Sequence, residues 1–143
     1  MTKFVLDCSV TMGWCFIDEA SKYGDQVLDA LRTNGAGAVV PQLWSLEVAN
    51  VLLVGERRGR LTMAQTTRAV TLLQSLPIIV DDLTAHQGMG LILALGRHNL
   101  SSYDAAYIEL AMREGLPLAT TDNRLSNAAK SCGVAILFEG FGV

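Results

Sequence analysis

The sequence predicts an α/β domain, a three-layer α/β/α sandwich around a mostly parallel central sheet. Short apolar runs alternate with longer stretches of helical periodicity, and no long linker interrupts them. A helix between successive strands returns the chain to the starting edge, so the strands pair in parallel and both faces of the sheet are covered. The 143 residues contain no internal repeat and no low-complexity segment, so residues 1–143 are expected to form a single domain.

The elements follow in order. Residues 3–7 (KFVLD) read as a buried strand, followed by helices over about 9–16 and 19–31. Residues 38–40 form a second strand closed by Pro41, and a long helix runs from about 42 to 58, stopping near Gly59. Thr62 is placed as the N-cap of a helix reaching about 76, and Pro77 precedes a third strand at 78–80. Helices are expected over about 84–97 and 102–114, then a fourth strand at 116–121, a short helix, and a last strand at 134–137.

Composition narrows the function. Hydrophobic residues make up 50% of the chain and charged ones 17%, against a usual share of about 25%. The mean hydropathy of +0.33 implies extensive burial together with some apolar surface for a partner. No apolar run approaches the roughly 18 residues of a membrane span, and the start of the chain carries an acid inside a strand pattern, so no signal peptide is expected. Three cysteines without CxxC spacing argue against a disulfide framework and a structural zinc site, and fit a reducing cytoplasm. The net charge of −3 speaks against a generally basic nucleic-acid-binding surface. No glycine-rich phosphate loop follows any strand, which excludes the common nucleotide-cofactor motifs.

Four acids carry the chemistry. Asp7 ends the first strand and Asp122 the fourth, where an open parallel sheet builds its sites; each could equally cap the helix that follows. Winding residues 42–58 at about 100° per residue puts Leu43, Trp44, Val48, Val51, Leu52 and Val54 on one arc, with Glu47 inside it. A carboxylate on a face built for burial must be paired, protonated or metal-bound, unless it swings out to solvent; Asn50, one turn on, is in reach to orient it. Asp104 falls within the arc of Tyr103, Tyr107, Ile108, Ala111 and Met112, although Ser101 and Asp104 also fit a capping box. Four converging carboxylates would repel and raise one another's pKa, and a hard divalent cation, Mg²⁺ or Mn²⁺, relieves that crowding. Ser9 and Thr121 stand beside two of the acids as hydroxyl donors.

With these residues in place, the whole chain resembles the PIN-domain nucleases, and within them the VapC-type toxins of bacterial toxin–antitoxin pairs. VLDCSVTMGWCFIDEA is similar to the family's opening segment, with Asp7 and Ser9. VVPQLWSLEVANVLLVGERRGRLT resembles its second block, with Glu47 and Asn50, and LSSYDAAYIELAMREGLPLATTDNRLSNAA its third, with Asp104, Thr121 and Asp122. Gly13 departs from the pattern, since relatives often carry lysine before the position of Trp14. The resemblance implies a PIN-like α/β/α fold and RNA phosphodiester hydrolysis with one or two Mg²⁺ or Mn²⁺ ions held by the catalytic acids Asp7, Glu47, Asp104 and Asp122. It further implies a cytoplasmic homodimer neutralised by an antitoxin protein.

Arg57, Arg58 and Arg60 cluster at a helix end, where they either complement its C-terminus or meet RNA; Arg97, Arg113 and Arg124 lie elsewhere. Trp14, Phe16, Leu52 and Leu53 are each expected in the core, with an antitoxin groove or dimer face as the alternative. His86 and His98 match no role. Two other classes are weighed. A phosphotransfer or receiver-like enzyme would use Asp81 and Asp82, yet no lysine follows a later strand in a suitable place, and a dehalogenase-like site would want an acid where Ser9 stands. A non-catalytic binding module would keep the acids as structural ligands.

Overall fold

Phe4, Val5 and Leu6 follow one another without a polar residue and all three have no exposed surface. A strand that is apolar on both faces is stable only where helices cover the sheet on both sides, and this segment is an inner strand of the sheet. The computed structural model describes residues 2–83, 88–97 and 99–139. Strands β1 (Lys3–Leu6), β2 (Gly37–Pro41), β3 (Ile78–Asp81) and β4 (Leu118–Ala119) form a parallel sheet in the order β3-β2-β1-β4. The α-helices of the described residues are α1 (Cys8–Cys15), α2 (Lys22–Thr33), α3 (Leu43–Arg57), α4 (Met63–Ser75), α5 (Met89–Gly96), α6 (Ser102–Glu114) and α7 (Asn123–Ser131), with a 3₁₀ turn at Ile17–Glu19. The architecture is the expected α/β/α sandwich.

From β1 the chain steps outward to β2 and β3, then returns to lay β4 on the other side of β1. The strand order therefore reverses between β1 and β4, which opens a crevice beyond their carboxyl ends. The Asp7 amide bonds to the Ala119 carbonyl at 3.0 Å and fixes the register there.

Helix ends follow local chemistry. Thr62 and Gln65 form a complete capping box at the start of α4. Gly115 ends α6 in the left-handed region at φ +64°, which glycine reaches without the penalty of a Cβ.

Several boundaries depart from the sequence pattern. The fourth strand pairs over only two residues, Leu118 and Ala119, opposite Val5 and Leu6 at the end of β1. The expected last strand at 134–137 reduces to a parallel bridge between Leu118 and Ile136, and Phe138, at φ +56°, turns the chain out of the extended path. Residues 84–87 of the expected 84–97 helix lie outside the described residues, as do His86 and His98; α5 begins at Met89.

On α6 the buried side runs from Ala105 to Ala111, whereas Tyr103 and Met112 of the expected arc are 64% and 41% exposed. The alanines let this helix settle against β1 and β2, which draws the contact face toward them. Phe16 and Leu52 are core residues, while Leu53 is exposed. Trp14 is half-buried and donates its indole N–H to the Gly24 carbonyl at 2.8 Å. A Cβ at Gly13 would lie 3.0 Å from the Glu19 carbonyl oxygen, so the absence of a side chain there lets the 3₁₀ turn pack closely. No helix of the described residues is long and apolar enough to cross a membrane.

Candidate active site

Asp7 occupies the N-cap position of α1, but its side chain makes no cap bond. Its Oδ2 instead accepts from the Ser9 hydroxyl at 2.6 Å and the Thr120 hydroxyl at 2.8 Å. The backbone closes this arrangement: the Thr121 amide donates to Ser9 Oγ and the Asp122 amide to Thr120 Oγ1, each at 3.0 Å. Thr120, which is buried, supplies the hydroxyl expected of Thr121; the latter is exposed and contributes its N–H. Two neighbours on a strand point to opposite faces, and sequence alone does not say which of two threonines turns inward.

Glu47 is half-buried on α3, flanked by the buried Trp44, Val48 and Leu52. Its Oε1 accepts a 2.5 Å bond from the Tyr107 hydroxyl, which reaches across from α6. Asn50, the expected partner, is exposed, and no hydrogen bond from its side chain to Glu47 is present among the described residues. Tyr107 has no exposed surface; its place on the apolar arc of α6 was legible, but its partner on another helix was not.

Asp104 is half-buried in the first turn of α6. Ser101 Oγ accepts from the Asp104 amide at 3.0 Å, which is half of a capping box; the return bond from the Asp104 carboxylate to the Ser101 amide is absent among the described hydrogen bonds. Asp122 does cap α7: its Oδ1 accepts from the Arg124 and Leu125 amides at 2.9 and 3.2 Å.

The electrostatics join the four. Burial is the largest cause raising the Asp7 carboxyl above its ordinary range; Ser9 and Thr120 oppose it and the charge of Asp104 adds to it. Glu47 is raised first by burial and then by Asp7 and Asp104, against the hydrogen bond from Tyr107. Asp104 is raised by burial and by Asp122, while the Ser101 hydroxyl and Arg124 pull it down. Among the described residues, no three acidic, histidine or cysteine side chains are grouped so as to hold a metal ion as they stand. The Asp122 carboxylate is turned to its helix amides and Glu47 is held by Tyr107.

The remaining positions divide. Arg60 bonds Asp18 and Glu19 at 3.0 Å and lies 4.2 Å above the Phe16 ring, so its guanidinium is occupied away from the acids. Arg57 and Arg58 are exposed at the end of α3. Arg113 is bound by Asp81 at 2.8 Å and Glu109 at 2.7 Å, and Arg124 donates to the Asn99 carbonyl. The pairing of Asp81 with Arg113 removes the acid on which a receiver-like site would depend.

Residues 4–131 match the family model of the PIN domain. The chain belongs to the PIN-domain family. This PIN domain is 31% identical over 130 residues to Ribonuclease VapC1 of Mycobacterium tuberculosis, covering 82% of the chain and 92% of that relative. It is 37% identical over 91 residues to Ribonuclease VapC3 of the same organism, covering 62% of each. Among solved structures, PAE2754 from Pyrobaculum aerophilum superposes at a TM-score of 0.66 with 22% identity, over 94% of this chain and 83% of that one. The VapC20 toxin of M. tuberculosis, described as cleaving the sarcin–ricin loop, gives 0.62 with 16% identity over 87% and 94%. The two structures speak to the fold, and the sequence matches place this PIN domain with the VapC type.

Proposed function

We propose that this PIN domain is an endoribonuclease, the toxin of a toxin–antitoxin pair, and that Asp7, Glu47, Asp104 and Asp122 hold one or two Mg²⁺ or Mn²⁺ ions at its active site. The observation that carries the reading is the placement of Asp7 and Asp122 at the carboxyl edge where β1 and β4 diverge, joined there by the Ser9 and Thr120 hydroxyls, with the charges of Asp7 and Asp104 felt at Glu47 and that of Asp122 at Asp104. These acids come from four separate segments, and no lysine or arginine is bonded to Asp7, Glu47 or Asp104 among the described residues.

The donor set fits a hard divalent cation. All four groups are oxygen donors, and Asp7, Glu47 and Asp104, raised first by burial, also feel neighbouring carboxylates whose charge such an ion would offset. When bound, such an ion polarises a phosphodiester and acidifies the attacking water, which is the chemistry hydrolysis requires.

This chain's own residues supply placement. Ser9 and Thr120 engage one oxygen of Asp7, and Tyr107 one oxygen of Glu47, so that in each case a second oxygen remains for ligation. The Asp122 and Thr121 amides tie the β4 end to the β1 end, which keeps Asp7 and Asp122 in step. Arg57 and Arg58 are the exposed cations we assign to RNA contact; Arg60 is withdrawn from that role by Asp18 and Glu19. An antitoxin partner, supported by the VapC relatives, completes the reading, together with the cytoplasmic homodimer that we expect of this chain.

The test is RNA cleavage by the purified chain, freed of other proteins, in Mg²⁺ or Mn²⁺ and in excess chelator. Cleavage by the wild type that falls to background in chelator and in Asp104→Asn is expected. Intact RNA under every metal condition would favour a non-catalytic binding module.

A further inference from the structure

Tyr107 is the largest fully buried side chain, at 0% exposure, and it spends its hydroxyl on an acid 60 residues away. A buried phenol needs an acceptor, and most cores offer a backbone carbonyl. Here the acceptor is Glu47, whose other neighbours on the same helix face are apolar. Tyr107 is the only hydrogen-bond partner of Glu47 among the described residues. The bond joins α6, which also carries Asp104, to α3, which carries Glu47. One contact therefore sets two of the four acids relative to each other.

We propose that Tyr107 is a positioning residue for metal binding: it clamps Glu47 Oε1 and so fixes the side chain with Oε2 free for the ion. The proposal rests on the reading of the four acids as metal ligands. A hydroxyl suits this task better than a cation would. It orients a carboxylate without cancelling the charge that attracts Mg²⁺ or Mn²⁺, whereas a bonded lysine or arginine would compete with the ion. Asp7 is treated in the same manner, with two hydroxyls on Oδ2 and no cation. A phenol O–H donates and a carboxylate accepts, so the bond runs from Tyr107 to Glu47.

The experiment is a double-mutant cycle read by calorimetric titration of Mn²⁺ into the metal-free full chain. Tyr107→Phe retains the ring and removes the hydroxyl. It is expected to weaken Mn²⁺ binding by on the order of 10- to 100-fold, as loss of a group that orients a ligand does. Glu47→Gln also weakens binding, and Tyr107→Phe added to Glu47→Gln is expected to change it no further. A merely structural tyrosine would alter the melting temperature of the metal-free protein while leaving Mn²⁺ affinity within a factor of two or so of wild type. That result, or a full additional loss in the Glu47→Gln background, overturns the proposal. Wild-type protein without saturable Mn²⁺ binding would instead overturn the metal reading itself. Should Tyr107→Phe fail to fold, 3-fluorotyrosine incorporated at the three tyrosines gives a second readout. The fluorine resonance of the buried ring is expected to shift on adding Mg²⁺ in wild type and to stay still in Glu47→Gln; an unmoved resonance in wild type that binds Mg²⁺ contradicts the clamp.

Discussion

Asp122 performs two tasks that one pair of substitutions separates. Its Oδ1 caps α7 through the Arg124 and Leu125 amides, and its charge adds to the repulsion at Asp104. Asparagine is as good an N-cap as aspartate but carries no charge. Asp122→Asn is therefore expected to keep wild-type stability in urea denaturation while losing RNA cleavage. Asp122→Ala is expected to lose cleavage and a further ~1 kcal/mol of stability, the usual worth of a cap. Equal stability in the two variants would mean that the cap contributes nothing. At this scale the sequence is informative about acids and silent about their partners. Glu47 could be found because a carboxylate interrupts an apolar helical arc, which a single segment displays. Thr120 and Tyr107 could not, because their roles depend on how β4 meets β1 and how α6 meets α3. The capping box proposed at Asp104 is a case where a local rule held in part: Ser101 Oγ accepts from the Asp104 amide, and the return bond to the Ser101 amide is absent among the described hydrogen bonds.

Elements with strong local punctuation are the ones whose limits could be read directly. Thr62 starts α4 with a complete capping box, and α3 ends at Arg57 just before Gly59, which takes φ +74°. Thr62→Ala removes one half of that box and is expected to cost about 1 kcal/mol in urea denaturation, with RNA cleavage per folded molecule unchanged, since the residue lies outside the site. A loss of activity without a loss of stability would show that α4 contributes to the site in a way that the geometry does not account for. Where pairing rather than punctuation decides, the pattern overreaches. The apolar runs at 116–121 and 134–137 look alike in sequence, yet the first pairs over two residues and the second contributes one bridge. Strand length here follows from where the neighbouring strand ends and the chain must turn. The position of Asp7 and Asp122 on either side of the strand-order reversal was nonetheless implicit in the alternation of helices and strands, since an open parallel sheet places its crevice there.

The molecule as a whole is acidic, with a net charge of −3, and several of its cations are held in ion pairs. Arg113 is committed to Asp81 and Glu109, and Arg60 to Asp18 and Glu19. None of these neutralises the carboxyl-edge cluster, where Asp7, Glu47 and Asp104 all ionise less readily than ordinary carboxyls. The consequence for stability has a definite sign. Between the ordinary carboxylate range and the raised native values, the metal-free native protein binds more protons than the unfolded chain. The contribution of these three groups is therefore fully present below that window and is lost as pH rises through it. A divalent ion needs the ionised groups, so its stabilising effect runs the opposite way and grows with pH. Thermal unfolding of the chelator-treated chain, with and without Mg²⁺ over a series of pH values, measures this directly. At 100 times the dissociation constant, Mg²⁺ is expected to add about 2.7 kcal/mol near pH 7, a rise in Tm of roughly 5–10 °C for a chain of this size, fading toward acid pH. A Tm that ignores Mg²⁺ and Mn²⁺ at every pH, or one that rises equally in Asp104→Asn, would contradict a shared ion at the four acids.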